Sequence, residues 1–393
     1  MSSKQDPSQT RERRDLAEVA IASVSGLAFA FIALYIVAAP ATGYLAANRD
    51  FISYWAAGRQ LVLHANPYDR DAVSALEHSA GVTTSAVLLM RNPPWALPFA
   101  FPLGFLNVRV ASILWTTLLL AALLISVRLV RRLHGSPPNR NHWLGIAFTP
   151  ALICLTMGQT SLFALLGLVL FLRFYRHRQF AAGAALWLCA LKPHLFLPFF
   201  AGLLAWVIAS RSYRLLAGAV AAIALSSAAA FLVWPNTWHD YFRMMRSPAV
   251  ENDFVPCLAA AARLWLDPQA VWLQYLPVAL CCIWALFYFW LRRRAWDWLT
   301  NGSVLILVSL IAAPYSWLYD QCLAIPALLD AAFHTRSRNL LALLAFMILA
   351  ADLELCLIKV SSPLWLWTVP AWFAWYLYAR LPSGENTIRP PAI

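Results

Sequence analysis

Charge is scarce in this chain of 393 residues: Asp, Glu, Lys and Arg together supply 12%, about half the share of a typical soluble domain. Set beside 61% apolar residues, that scarcity excludes a water-soluble globule and points to one polytopic membrane domain. Cysteine is equally uninformative as a framework. The seven cysteines are odd in number, and none stands in a Cys-x-x-Cys or Cys/His ligand spacing, so they read as small packing residues rather than disulfides or a zinc site. Also missing are a Walker loop, a Gly-x-Gly-x-x-Gly turn, a Gly-x-Ser-x-Gly elbow and a His-Glu-x-x-His helix. Nucleotide hydrolysis, dinucleotide redox chemistry and the common hydrolases lose their signatures with them. His64, His78, His134, His142, His177 and His334 show no metal-like spacing, so a reaction without metal or cofactor is expected. No internal repeat supports an inverted-repeat transporter.

What the chain does have is apolar runs. A bilayer core takes about 20 residues per helix, and roughly twelve runs approach that length, near 17–39, 106–130, 143–156, 160–175, 179–191, 194–210, 213–233, 269–291, 297–312, 317–334, 339–357 and 363–380. They predict an all-α bundle of about 10–13 transmembrane helices in a single domain over 16–381, between polar tails at 1–15 and 382–393. The first run follows a polar start and is long enough to span, which reads as an uncleaved helix rather than a signal peptide. The formal charge of +12 is not spread along one polar face, so no nucleic-acid partner is implied. Instead, basic residues recur in short segments of one parity: Arg11, Arg13 and Arg14; Arg128, Arg131, Arg132 and Arg140; Arg173, Arg176 and Arg178; Arg211 and Arg214; Arg292, Arg293 and Arg294; Arg336 and Arg338. The positive-inside rule then predicts both termini in the cytoplasm of a plasma-membrane protein. It places outside the loop at 40–95, the loop at 234–256 and the turn at 314–317.

The first of these loops opens with Arg49-Asp50, a guanidinium beside a carboxylate just after an apolar run. Phe51 to His64 and Asp71 to His78 read as short helices on the membrane surface, parted by the turn Asn66-Pro67-Tyr68-Asp69. Pro98 and Pro102 suggest a broken approach to the second run, tolerable where protein or water satisfies the backbone. A loop this long is more often functional than idle.

Four polar blocks follow in order: Asp50-Phe51-x-x-Tyr54-x-Ala56-Ala57-Gly58 with Asn66-Pro67-Tyr68-Asp69; Arg91-Asn92-Pro93-Pro94-Trp95 with Pro98 and Pro102-Leu103; Gly158-Gln159-Thr160-Ser161-Leu162; and Ala190-Leu191-Lys192-Pro193. A weaker fifth is Ala313-Pro314-Tyr315-Ser316-Trp317-Leu318-Tyr319-Asp320. On these blocks the chain resembles glycosyltransferase family 87, the mannosyltransferase-like branch of the GT-C superfamily. The resemblance implies a GT-C-like helical fold, a polyprenyl-phosphate sugar as donor, mannose as its sugar, a lipid or glycan acceptor outside, and inversion at the anomeric carbon. It puts the catalytic carboxylate at Asp50. Histidine is frequent in the fifth block of other members, and this chain has none there.

The chemistry fits those residue types. An acceptor hydroxyl holds its proton near neutrality, so a placed carboxylate must take it as the bond forms; Asp50 can equally cap the helix starting at Phe51. The departing polyprenyl phosphate needs cations or donors, for which Arg49, Arg59, Arg91, Lys192 and His194 are candidates. Lys192 interrupts the apolar stretch 180–200, where an ionisable group usually faces a cavity, though a lysine there can also snorkel to the interface. Arg91 can bind phosphate or anchor at the interface. Gln159 can bond a sugar hydroxyl or satisfy a broken helix junction; Asp320 can contact substrate or cap a helix. Tyr54, Asn66, Tyr68, Asp69, Asn92 and Tyr319 complete the substrate-binding candidates, and His239, Asp240, Glu251 and Asp253 read as a solvated face. Membrane lipids are the remaining partner, and no obligate protein partner is evident. The competing class is a transporter or lipid flippase, which would carry its ionisable residues near the bilayer midplane on broken, repeat-related helices.

Overall fold

The computed structural model describes residues 50–82, 87–246 and 254–381, with the isolated positions Ser23, Gly26 and Leu27. Apart from those three positions, the first apolar run at 17–39 lies outside the described residues, as do Arg49, Glu251, Asp253 and both tails. Among those described, every regular element is helical and no strand occurs.

Each of the eleven apolar runs that the structure describes becomes helix. Four are long and apolar enough to cross a membrane: α3 (Val108–Leu133), α8 (Tyr213–Val233), α11 (Trp272–Arg292, extended by a 3-10 turn to Ala295) and α14 (Arg338–Leu357). Between them stand the shorter apolar helices α5 (Ser161–Phe174), α6 (Gln179–Cys189), α7 (Leu197–Ser210) and α12 (Asn301–Ala312). The runs at 143–156, 317–334 and 363–380 are each interrupted. Extended backbone at Phe148 precedes α4 (Thr149–Met157), and 3-10 segments Leu318–Ala324 and Pro363–Trp367 lead into α13 (Ile325–His334) and α15 (Thr368–Arg380). A proline stands in the first turn of α4, α13 and Pro363–Trp367, where its missing N–H costs nothing.

Three of the long helices, α8, α11 and α14, are largely uncovered, whereas α3 is half buried. Leu225 and Leu232 on α8, Ile283 and Leu291 on α11, and Leu357 on α14 are exposed, as expected of chain whose solvent is lipid. The short elements form the interior. The first outer-loop helix, α1 (Asp50–Val62), is buried along nearly its whole length, from Phe51 to Gly58 and at Gln60 and Leu61. Where the sequence suggests a helix lying on the membrane surface, the rest of the chain covers it.

Two glycines make that burial possible. Gly58 of α1 packs against the 3-10 segment Phe101–Phe105, and a Cβ on Gly58 would fall 2.2 Å from the Ala100 carbonyl oxygen. A Cβ on Gly104 would fall equally close to the Gly58 carbonyl. Two backbones in direct contact leave no room for a side chain. Beyond the segment, Asn107 caps α3 by accepting from the Val110 N–H, so the proline-rich stretch is a chain of single turns ending in a cap. The second loop helix, α2 (Arg70–Ser79), is capped by Asp69, which accepts from the N–H groups of Asp71 and Ala72 at 3.0 Å. Two further helices stand between α8 and α11. These are α9 (Thr237–Arg246) and α10 (Leu258–Leu266), the latter interrupted by Arg263 and too short to register as an apolar run.

Candidate active site

The five sequence blocks converge on one buried polar cluster. At its floor is α4, which ends at Gly158 in the left-handed region (φ 70°). The turn swings Gln159, Thr160 and Ser161 inward ahead of α5, and the Gly158 carbonyl is held by the Trp115 indole N–H at 2.7 Å. Gln159 bridges two buried phenols. Its carbonyl oxygen accepts from the Tyr54 hydroxyl at 3.2 Å and its amide donates to the Tyr319 hydroxyl at 3.3 Å. Tyr54 comes from α1 and Tyr319 from the 3-10 segment, so one glutamine ties the first, third and fifth blocks together.

The second and fourth blocks join through Asn92 and Lys192. Asn92 donates to the Leu191 carbonyl at 2.8 Å and reaches Thr160 at 3.5 Å; the Trp95 indole donates to the Ala190 carbonyl at 2.8 Å. These bonds hold the non-helical residues between α6 and α7. Lys192 thereby projects into the interior, with its ammonium 2.8 Å from an Asp320 carboxylate oxygen and 4.7 Å from the centre of the Tyr319 ring. The same Asp320 oxygen accepts from the Ser161 hydroxyl at 2.5 Å, and the other accepts from the Trp317 backbone N–H at 2.9 Å. The side chains of Lys192 and Asp320 are 10% and 1% exposed, so this is a buried ion pair and not a lysine reaching for an interface. The helix-capping and ionic roles of Asp320 coexist.

Asp50 is the first residue of α1 and is half-buried. It stands one turn before Tyr54 on the same face of α1, at the helix end whose dipole favours an anion. His194 is half-buried, packs 6.0 Å from the Tyr315 ring and lies within electrostatic reach of Lys192 and Asp320. Arg59, Asn66, Tyr68 and Asp69 make their hydrogen bonds and ring contacts elsewhere. Arg59 donates to the Gly104 carbonyl at 3.1 Å, bracing the glycine contact. Asn66 accepts from the Tyr68 N–H and Asp69 caps α2. Tyr68 is buried against Tyr241 of α9, 5.7 Å between rings. Arg91 is exposed.

A family model for glycosyltransferase family 87 matches residues 91–314, more than half of the chain. The chain belongs to glycosyltransferase family 87. It is therefore a membrane glycosyltransferase, and the matched residues hold the second, third and fourth blocks, including Asn92, Gln159, Ser161 and Lys192. Asp50, Tyr54, Tyr319 and Asp320 fall outside the match, and the last three join the matched residues through the hydrogen bonds above. No curated protein and no solved structure gives a significant match.

Sequence reasoning missed Ser161, whose role appears only with its partner 159 residues away, and Trp115, whose ring packs on Phe51, Tyr54, Phe99 and Phe163 beneath the site. It also missed a second polar cluster, beyond the far end of α3. His134 hydrogen-bonds His142 at 2.8 Å and Asp330 at 3.2 Å, stacks on Phe333, and Asp330 also receives His334 at 3.3 Å and Arg380 at 3.4 Å. Burial pushes His142 down to about 4, reinforced by His134 and Arg131, so it is neutral near pH 7. Among the described residues, no group of three or more His, Cys, Asp or Glu side chains is arranged to hold a metal ion.

Proposed function

We propose that this family 87 glycosyltransferase moves a hexose, mannose by family resemblance, from a polyprenyl phosphate to a hydroxyl of a lipid or glycan acceptor, with Asp50 as the base. The observation that carries the reading is the convergence of all five blocks on the Tyr54–Gln159–Tyr319 and Ser161–Asp320–Lys192 networks beside Asp50. A carboxylate, a buried ammonium and uncharged hydrogen-bond donors are the parts the transfer requires. The carboxylate takes the acceptor proton as the hydroxyl attacks, the ammonium holds the phosphate charge as the glycosidic bond breaks, and inversion follows from direct displacement. No resident cofactor enters this scheme.

The alternation of arginine-rich segments supports an orientation with both termini in the cytoplasm and Asp50 outside. On that face nucleotide sugars are absent, so a lipid-linked donor is the consistent one. Membranes carrying the wild type or Asp50→Asn, incubated with radiolabelled polyprenyl-phosphate mannose and a lipid extract, test the assignment. Labelled product is expected from the wild type and a loss of 100-fold or more, on the order of general-base catalysis, from the variant. Equal product from both removes Asp50 as the base. For the orientation, a cysteine placed at 70–80 should react with an impermeant thiol reagent from outside and one at 176–178 should not.

A further inference from the structure

We infer that Asp320 is a positioning residue: held by Ser161 and by the Trp317 backbone, its carboxylate aims the Lys192 ammonium at the phosphate of the lipid-linked donor. This rests on the reading above that a phosphate-linked donor occupies the cluster.

The first support is that Asp320 has little left to offer a substrate. One of its oxygens receives both Lys192 and Ser161, the other receives the Trp317 N–H, and its side chain is 1% exposed. A carboxylate so engaged is badly placed to abstract a proton or bind a sugar hydroxyl. Lys192 is different. An ammonium has three donors; Asp320 takes one, the Tyr319 ring face lies 4.7 Å away, and the side chain keeps 10% of its surface open. Of the pair, the lysine is the member able to meet a ligand.

The second support is the way the pair is built. Lys192 lies in non-helical backbone (φ −135°, ψ 69°) between α6 and a 3-10 turn, where nothing in the local helix fixes a long flexible side chain. Ser161 begins α5, and Asp320 sits in the 3-10 segment where its carboxylate also closes the turn at Trp317. Three separate elements are thus spent on the direction of one ammonium. Burying such a pair is seldom a net gain in stability, because both charges lose their water. Orientation is what the arrangement supplies, and a fixed cation at a departing phosphate is the form in which electrostatic stabilisation is most effective.

A purely structural tie would use the same contacts, so the test separates the two. Removing one charge leaves the other buried and unpaired, which threatens folding; the double variant Lys192→Met/Asp320→Asn leaves neither. The proteins are purified in detergent, and three quantities are read: thermal stability, stabilisation by added polyprenyl phosphate, and KM and kcat with polyprenyl-phosphate mannose. The double variant is expected to keep wild-type thermal stability, to lose stabilisation by polyprenyl phosphate, and to raise donor KM by on the order of tenfold or more. Asp320→Asn alone should raise donor KM more than it lowers kcat, and Asp320→Glu should recover part of the loss. Wild-type KM and ligand stabilisation in the double variant would overturn the assignment while leaving the donor reading intact. A wild type that neither transfers from the phosphate-linked donor nor is stabilised by polyprenyl phosphate would remove the donor reading, and the assignment with it.

Discussion

Replacing Gly58 by alanine is the sharpest single perturbation of the fold beneath the site. In an ordinary helix interior the change stabilises by about 1 kcal/mol, because glycine has more freedom to lose. Here the added Cβ would meet the Ala100 carbonyl oxygen at 2.2 Å and its carbon at 2.9 Å. Ordinary contact lies near 3.5 Å, so α1 and the Phe101–Phe105 segment must part by about 1 Å, and backbone cannot swing aside as a side chain would. Overpacking of this kind costs about 1–3 kcal/mol, enough to reverse the sign of the helix-propensity gain. The same displacement moves Asp50 and Tyr54, both on α1, relative to Gln159, and a misplacement near 1 Å costs about 100-fold in rate. Gly58→Ala is therefore expected to lower the melting temperature in detergent by a few degrees and to reduce transfer from the phosphate-linked donor about 100-fold. Gly104→Ala opens the same contact from the other side and should do likewise, with the double variant worse than either by less than the sum. A Gly58→Ala protein that is as stable as the wild type or more so, with unchanged transfer, would refute the close-contact argument.

Gln159→Leu strands two buried phenol hydroxyls, each costing about 1–3 kcal/mol, and should weaken both stability and transfer; a binding and rate profile like the wild type would show that the bridge is idle. Asp330→Asn leaves the quarter-exposed Arg380 without its ion partner and should destabilise by about 2–3 kcal/mol while leaving donor KM unchanged, as thermal melts and kinetics together would reveal. Glu77 is buried and accepts from the Leu88 N–H, and burial pushes its carboxyl up to about 7. Because this folded-state value is raised, the protonated form favours the fold below the ordinary carboxyl range, and that stabilisation is lost as pH rises from about 4.5 to about 7. Glu77→Gln should flatten this part of the stability profile in melts over pH 4.5–8; an unaltered slope would assign it elsewhere.

Much of this architecture was legible because lipid-facing helices are written in long apolar runs. The run at 213–233 becomes a helix with the same bounds, since Ser212 and the Trp234-Pro235 pair leave no ambiguity at either end. The breaks were less legible. Phe148 turns extended inside an unbroken apolar run, ahead of Pro150, and α10 is hidden by its own Arg263. At the site, Lys192 announced itself by interrupting apolar chain, and Gln159 by following a glycine. Ser161 carried no such signal, because a serine opening a helix is an ordinary cap until its partner is known. His134 and His142 were legible only as isolated residues: their partner Asp330 is 196 positions from His134, and no periodicity links positions joined solely by helix packing. Arg59 shows the converse. A cation beside a catalytic candidate suggests phosphate, yet its contact is a backbone carbonyl.

Asp320 and Asp330 belong to one continuous stretch, the 3-10 segment Leu318–Ala324 running into α13. The first aspartate is fastened to α5 and to the residues after α6; the second is fastened to the far end of α3 and to α15. Along the chain the two lie about 17 Å apart at ordinary helical rises, a little over half of a hydrocarbon core. A segment pinned by a buried carboxylate near each end cannot slide or rock by one residue without abandoning ionic contacts on both. Alternating access works by just such rocking. This piece of the protein is instead a fixed strut, and on the donor reading proposed above it is the lipid-linked sugar that travels to the Lys192–Asp320 pair.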